Sequence, residues 1–135
     1  MLTVEQILAA PEEEYMNEDQ LEFFRALIVQ QLEETHEQIN DAKEQVRTQQ
    51  YEADELDKAA VEEERRFQLR MIDRLTKLEP KLKEALKRIE DGDFGFCEVT
   101  GEPIGVRRLM ARPTATLCAE EKQRQEMQEK NFRDD

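Results

Sequence analysis

Two rows of apolar residues, each advancing in steps of three and four, constrain this chain more than any other feature. The first runs Leu21, Phe24, Ile28, Leu32, Thr35, Ile39, Ala42, Val46, with Thr35 its one polar member. The second runs Phe67, Met71, Leu75, Leu78, Leu82, Leu86, Ile89. Near-heptad spacing places each row along one stripe of an α-helix, and neither stripe can be buried by its own helix. Two such stripes separated by a polar stretch are expected to fold back on each other as an antiparallel coiled-coil hairpin with its tip near residues 50–60. Charge supports the pairing. Residues 18–50 hold eight acidic and three basic side chains, whereas residues 65–88 hold nine basic and three acidic ones, so complementary flanks are expected to face each other.

The ends of these helices are also legible. Thr3 and Gln6 have capping-box spacing for a short first helix, with Pro11 beyond its end. Asn17 can cap the first long helix, and Gln20 can reach back to it. Pro80 interrupts the second row; it predicts a kink, with a break and restart as the alternative, because proline removes a backbone donor and crowds the preceding turn. All four glycines fall between Gly92 and Gly105, where helical spacing stops and a compact non-helical module is expected. Phe94, Phe96, Val99, Ile104, Val106, Leu109 and Leu117 are its candidate core, and residues from about 117 to 132 read as a closing helix.

Function classes narrow on charge. The formal net charge is −13, with 16 acidic and 4 basic residues in positions 1–60. Affinity for a nucleic-acid backbone comes from neutralising phosphates, so direct DNA binding is not expected and a protein partner is. No apolar run approaches the roughly 18 residues that would span a membrane, and the N-terminus lacks a basic leader; a cytoplasmic protein is expected, in which a Cys97–Cys118 disulfide would not persist.

The two cysteines stand in FCEVTGEPIGVRRLMARPTATLCAEE. Read as a ribbon, the four ligand positions are Cys97, Thr100, Cys118 and Glu121. The spacing suits a four-cysteine zinc site, but the residue types do not, since structural zinc takes thiolates and imidazoles. The single histidine, His36, lies far away on the first helix and reads as solvated. The expectation is a metal-free, degenerate zinc-finger-like module in which Thr100 and Glu121 make hydrogen bonds; the alternative is a weak site of two Cys and one Glu completed by water. The fold class is therefore mostly α: a long hairpin (17–90) after an N-terminal segment with a short helix (1–16), then the module with a C-terminal helix (91–135). An internally paired hairpin has no need of a second chain, so a monomer is expected.

YMNEDQLEFF, DELDKA at the expected tip, EDGDFGFCEVTGEPIGVRRLMARPTATLC and the helix after it resemble, in order and spacing, the DksA family (DksA/TraR-type) of bacterial RNA-polymerase-binding transcription regulators. The resemblance runs from about Tyr15 to Lys130 and departs from the family's four-cysteine pattern at Thr100 and Glu121. It implies a non-enzymatic regulator whose hairpin enters the secondary channel of RNA polymerase. With the alarmone ppGpp, such a regulator modulates ribosomal RNA and amino-acid biosynthesis promoters in the stringent response. By resemblance Asp54, Asp57 and Ala59 form the acting tip, Arg70 and Arg74 dock on polymerase, and Leu78, Lys81, Arg112 and Lys122 bind ppGpp. For DELDKA and each cation taken alone, an ordinary solvated surface is the competing reading. The alternative function is a structural hairpin adaptor or chaperone, which would have no use for Asp57.

Overall fold

The computed structural model describes residues 1–52 and 58–133. Five α-helices carry them: α1 (Val4–Ala9), α2 (Glu18–Glu52), α3 (Lys58–Asp91), α4 (Val106–Ala111) and α5 (Ala119–Arg133), with a 3-10 turn at Glu12–Glu14. Among the described residues the only β-type pairing is an isolated antiparallel bridge between Phe96 and Pro103. The chain divides into two compact units, one of Met1–Ile28 with Glu84–Asp135 and one of Val29–Lys83.

In the unit Val29–Lys83 the two long helices run antiparallel. Gln45 meets Gln68 at 2.7 Å and His36 meets Glu79 at 3.5 Å, so the α3 partner climbs as the α2 partner falls. Ile39, Ala42, Leu75 and Leu82 fill the seam, and buried Thr35 satisfies its hydroxyl on the Gln31 carbonyl at 2.7 Å. Two expectations change here. Phe67, assigned to the seam by its spacing, is 51% exposed, and Gln68 takes the inward position at 5%. The α3 seam keeps strict heptad phase through Gln68, Leu75, Leu82 and Ile89, which leaves Phe67 about 100° off the buried face. The complementary flanks also fail to pair. Among the described residues Arg47–Glu44, Lys77–Asp73 and Lys83–Glu79 pair along single helices, and His36–Glu79 alone crosses. Helix α3 continues through Pro80, whose exposed ring lies off the seam, so the break-and-restart alternative does not hold.

In the other unit, Thr3 and Gln6 form the capping box their spacing predicts, at 3.2 and 2.9 Å. This holds α1 so that Ile7 is fully buried and the helix lies against α4. Asn17 accepts from the Gln20 backbone N–H at 2.9 Å as expected, but the Gln20 side chain reaches one residue further back, to the Met16 N–H at 3.0 Å. Met16 takes a left-handed φ of 54°, which turns its N–H toward that amide. Helix α3 ends in a Schellman arrangement: Gly92 has φ +83°, its N–H bonds Ile89 O, and the Asp93 N–H bonds Arg88 O at 2.9 Å. Phe94 then packs on Phe24 with ring centroids 5.5 Å apart.

The module is not wholly non-helical, because VRRLMA after Gly105 forms one short helix, α4, that buries Leu109. Phe94, Ile104, Leu109 and Leu117 are buried as expected, but Val99 is 53% exposed at the tip of the turn that carries Thr100.

Candidate functional site

The described residues singled out for the hairpin fall on one helix. Ala59 lies in the first turn of α3, exposed; Asp54 and Asp57 lie outside the described residues. Arg70, Arg74 and Lys81 are exposed, and Leu78, one turn before Lys81, is half-buried. Arg66, Arg70, Lys77 and Lys81 follow one another by four, seven and four, so with Arg74 they occupy a face turned away from the seam. None of Arg66, Arg70, Arg74 or Lys81 has a carboxylate at ion-pair distance among the described residues. A helix whose cations are not consumed internally is left with charge to offer a partner.

Arg112 and Lys122 belong to the other unit. Arg112 caps the C-terminus of α4 and is exposed. Lys122 sits in the first turn of α5, its side chain 42% exposed and 3.9 Å from Glu126. The three cations and the leucine assigned to a phosphate ligand therefore divide as Leu78 and Lys81 on one unit and Arg112 and Lys122 on the other.

The cysteine site is built by a knuckle between Cys97 and Glu102. The Gly101 N–H bonds Cys97 O at 2.9 Å and the Cys97 N–H bonds Glu102 O at 2.7 Å, while the Glu98 N–H bonds Thr116 O at 2.9 Å and draws in the second cysteine segment. Thr100 Oγ1 lies 3.9 Å from Cys118 Sγ and accepts from the Glu102 N–H at 3.3 Å. Burial pushes the Cys97 thiol up, but hydrogen bonding from the Thr100 hydroxyl and the backbone of Cys118, Thr100 and Val99 outweighs it and brings it down to about 6. The knuckle thus keeps an anion-stabilising cradle around one sulfur. The remaining donors do not suit zinc. Cys118 faces a hydroxyl, and buried Glu121 is held by the Arg124 guanidinium at 3.2 and 3.3 Å. Among the described residues no group of three or more His, Cys, Asp or Glu could hold a metal ion. Both cysteines are free thiols.

Sequence reasoning missed the polar groups that hold this module to the helices. The Tyr15 hydroxyl donates to Gly95 O at 2.5 Å and accepts from the Gly105 N–H at 2.9 Å, and its ring meets Phe96 edge-on at 5.5 Å. Burial raises its phenol above the ordinary value, against the opposing backbone bonds of Gly105 and Ile104. Arg88, counted as hairpin charge, instead donates to Asp93 O and Phe96 O at 3.1 and 2.9 Å. Neither role has a local sequence signal, since each partner is set by the fold of the loop.

A helical hairpin with a cationic outer face, joined to a knuckle that keeps ribbon spacing without ribbon ligands, defines a class of hairpin proteins with a zinc-finger-like base. Residues 20–89 match the DnaK suppressor protein DksA N-terminal domain, and residues 92–126 match the prokaryotic dksA/traR C4-type zinc finger. The chain belongs to the DksA family. It is 44% identical over 128 residues to the RNA polymerase-binding transcription factor DksA of Caulobacter vibrioides, covering 92% of this chain and 88% of that one. It is 46% identical over 134 residues to the protein of that name from Escherichia coli K12, covering 96% and 86%. A solved structure, transcription factor DksA2 from Pseudomonas aeruginosa, superposes with a TM-score of 0.83 at 46% identity, covering 95% of this chain and 99% of that one. The family's zinc finger is described as C4-type, whereas the matched residues 92–126 of this chain contain two cysteines, Cys97 and Cys118.

Proposed function

We propose that this protein binds bacterial RNA polymerase in the cytoplasm and regulates transcription initiation by contact, without chemistry of its own and without zinc. The observation that carries the reading is that family relatedness extends over nearly the whole chain, hairpin and module together, at 44–46% identity to RNA polymerase-binding factors. The cationic face of α3 supports it, because charge left unpaired within the protein favours encounter with an acidic partner. In this reading Arg70 and Arg74 dock the hairpin in the secondary channel. Asp54, Asp57 and Ala59 then act near the catalytic centre, where carboxylates bias a conformational equilibrium that both proteins share. The alarmone ppGpp is held at the interface by Leu78, Lys81, Arg112 and Lys122, whose fixed cations suit its phosphates. The protein works as a monomer and makes no sequence-specific contact with DNA. Loss of two zinc ligands lets it serve when zinc is scarce.

The test is transcription in vitro from a ribosomal RNA promoter with bacterial RNA polymerase, comparing wild type with Asp57→Asn, each with and without ppGpp. Inhibition that ppGpp strengthens and Asp57→Asn loses is expected. Absence of inhibition, or equal inhibition by both proteins, would refute the tip assignment and favour the adaptor reading.

A further inference from the structure

Phe67 takes no part in the core and lies beside cations that have no carboxylate at ion-pair distance among the described residues. Its side chain is 51% exposed although it is among the largest apolar groups in the chain. With Arg66 set at zero on the α3 helical wheel, Arg70, Arg74 and Phe67 fall at about 40°, 80° and 100°, while buried Leu82, Leu75 and Gln68 fall at about 160°, 180° and 200°. Phe67 therefore borders the cationic face on the side nearer the seam, one helical turn from Arg70 and two from Arg74. Exposed aromatic rings ringed by arginine are the chemistry of protein–protein anchors: the ring supplies apolar area at little entropic cost, and each guanidinium grips a carboxylate in a fork.

We infer that Phe67 anchors a polypeptide-docking patch on α3, completed by Arg66, Arg70 and Arg74, whose occupant is a carboxylate-bearing protein surface of RNA polymerase. This rests on the polymerase reading above and adds Phe67 and Arg66 to it. Carboxylate is favoured over nucleic-acid phosphate for two reasons visible in the sequence. Glu62, Glu63 and Glu64, within one turn of Arg66, interrupt the continuous cationic surface that a phosphate backbone needs, and the whole chain at −13 lacks the positive excess on which such binding draws. A discrete carboxylate beside an apolar pocket can instead meet the arginines one at a time while the ring is covered.

The experiment measures the Kd of full-length protein for purified RNA polymerase by biolayer interferometry, for wild type, Phe67→Ala, Phe67→Leu, Arg66→Glu and Leu69→Ala. Leu69 is 46% exposed on the other flank of α3, at about 300° on the same wheel, and serves as the control. Phe67→Ala and Arg66→Glu are expected to weaken binding by about 10-fold or more, the range of an interface anchor, with Phe67→Leu intermediate and Leu69→Ala within about 2-fold. Circular dichroism melting should shift only slightly for Phe67→Ala, since the better helix propensity of alanine offsets part of the apolar contact that a half-exposed Phe67 gives up. Wild-type binding with Phe67→Ala within 2-fold of it would overturn the patch and leave the polymerase reading standing. No wild-type binding at all would overturn both. Phe67-dependent binding to a 20-base-pair duplex, with polymerase affinity unaffected, would overturn the choice of occupant.

Discussion

Replacing Tyr15 by phenylalanine isolates the cross-link that holds the module. The substitution keeps the ring and its edge contact with Phe96 but deletes the hydroxyl, which ties residue 15 to Gly95 O at 2.5 Å and to the Gly105 N–H at 2.9 Å. The Gly105 N–H then loses its partner in a half-buried setting, while Gly95 O keeps the Ile104 N–H at 2.8 Å. A buried group left unsatisfied costs about 1–3 kcal/mol, and partial access to water puts this loss at the lower end, about 1–2 kcal/mol. Amide hydrogen exchange by NMR reads this where it acts. Protection of the Ile104 and Cys97 amides, which close the knuckle on Gly95 O and Glu102 O, should fall by about 5- to 30-fold, the factor that about 1–2 kcal/mol of opening free energy implies. Amides of Leu75 and Leu82 in the other unit should hold their protection. A fall of less than about 2-fold at Ile104 would refute the claim that this hydroxyl does the stitching that a zinc ion does in a four-cysteine module.

Gly95→Ala should destabilise the same unit by several kcal/mol, more than Tyr15→Phe, because a Cβ there would lie 2.7 Å from Met16 Cγ and 3.2 Å from the Tyr15 hydroxyl at a φ of +91°; urea unfolding measures it. Gln68→Leu should stabilise the hairpin by about 1–2 kcal/mol in thermal unfolding, since it removes a buried amide oxygen that has no partner and fills the seam with carbon, while exposed Gln45 turns to water. In a Cys118→Ser background, thiolate absorbance at 240 nm should titrate with a midpoint near pH 6 for Cys97 and move upward in Thr100→Val. The folded value lies below the ordinary thiol value, so the stability linked to Cys97 is complete above that ordinary value and is lost as pH falls through about 6; urea midpoints should rise between pH 6 and 9.

The sequence by itself determined the helices and most of their ends. Heptad spacing, the Thr3–Gln6 box, the Asn17 cap and the Gly92 stop are local: each depends on residues within a turn or two, and local spacing is what a sequence displays. It also showed that the ribbon spacing lacks ribbon donors, because ligand chemistry is written in residue type. Only the tertiary structure decided the phase of α3. A row through Phe67 and a row through Gln68 differ by one residue, and the choice is made by what the facing helix presents, here Gln45. The same holds for charge. Complementary totals on two helices cannot say which way each side chain points, and the phase that buries Leu75 and Leu82 turns Arg70 and Arg74 away from α2. Tyr15 and Arg88 became structural anchors only when the loop after Gly92 brought its carbonyls to them, 80 and 8 residues along the chain. A polar side chain finds its partner in space, and that partner is fixed after the backbone has folded.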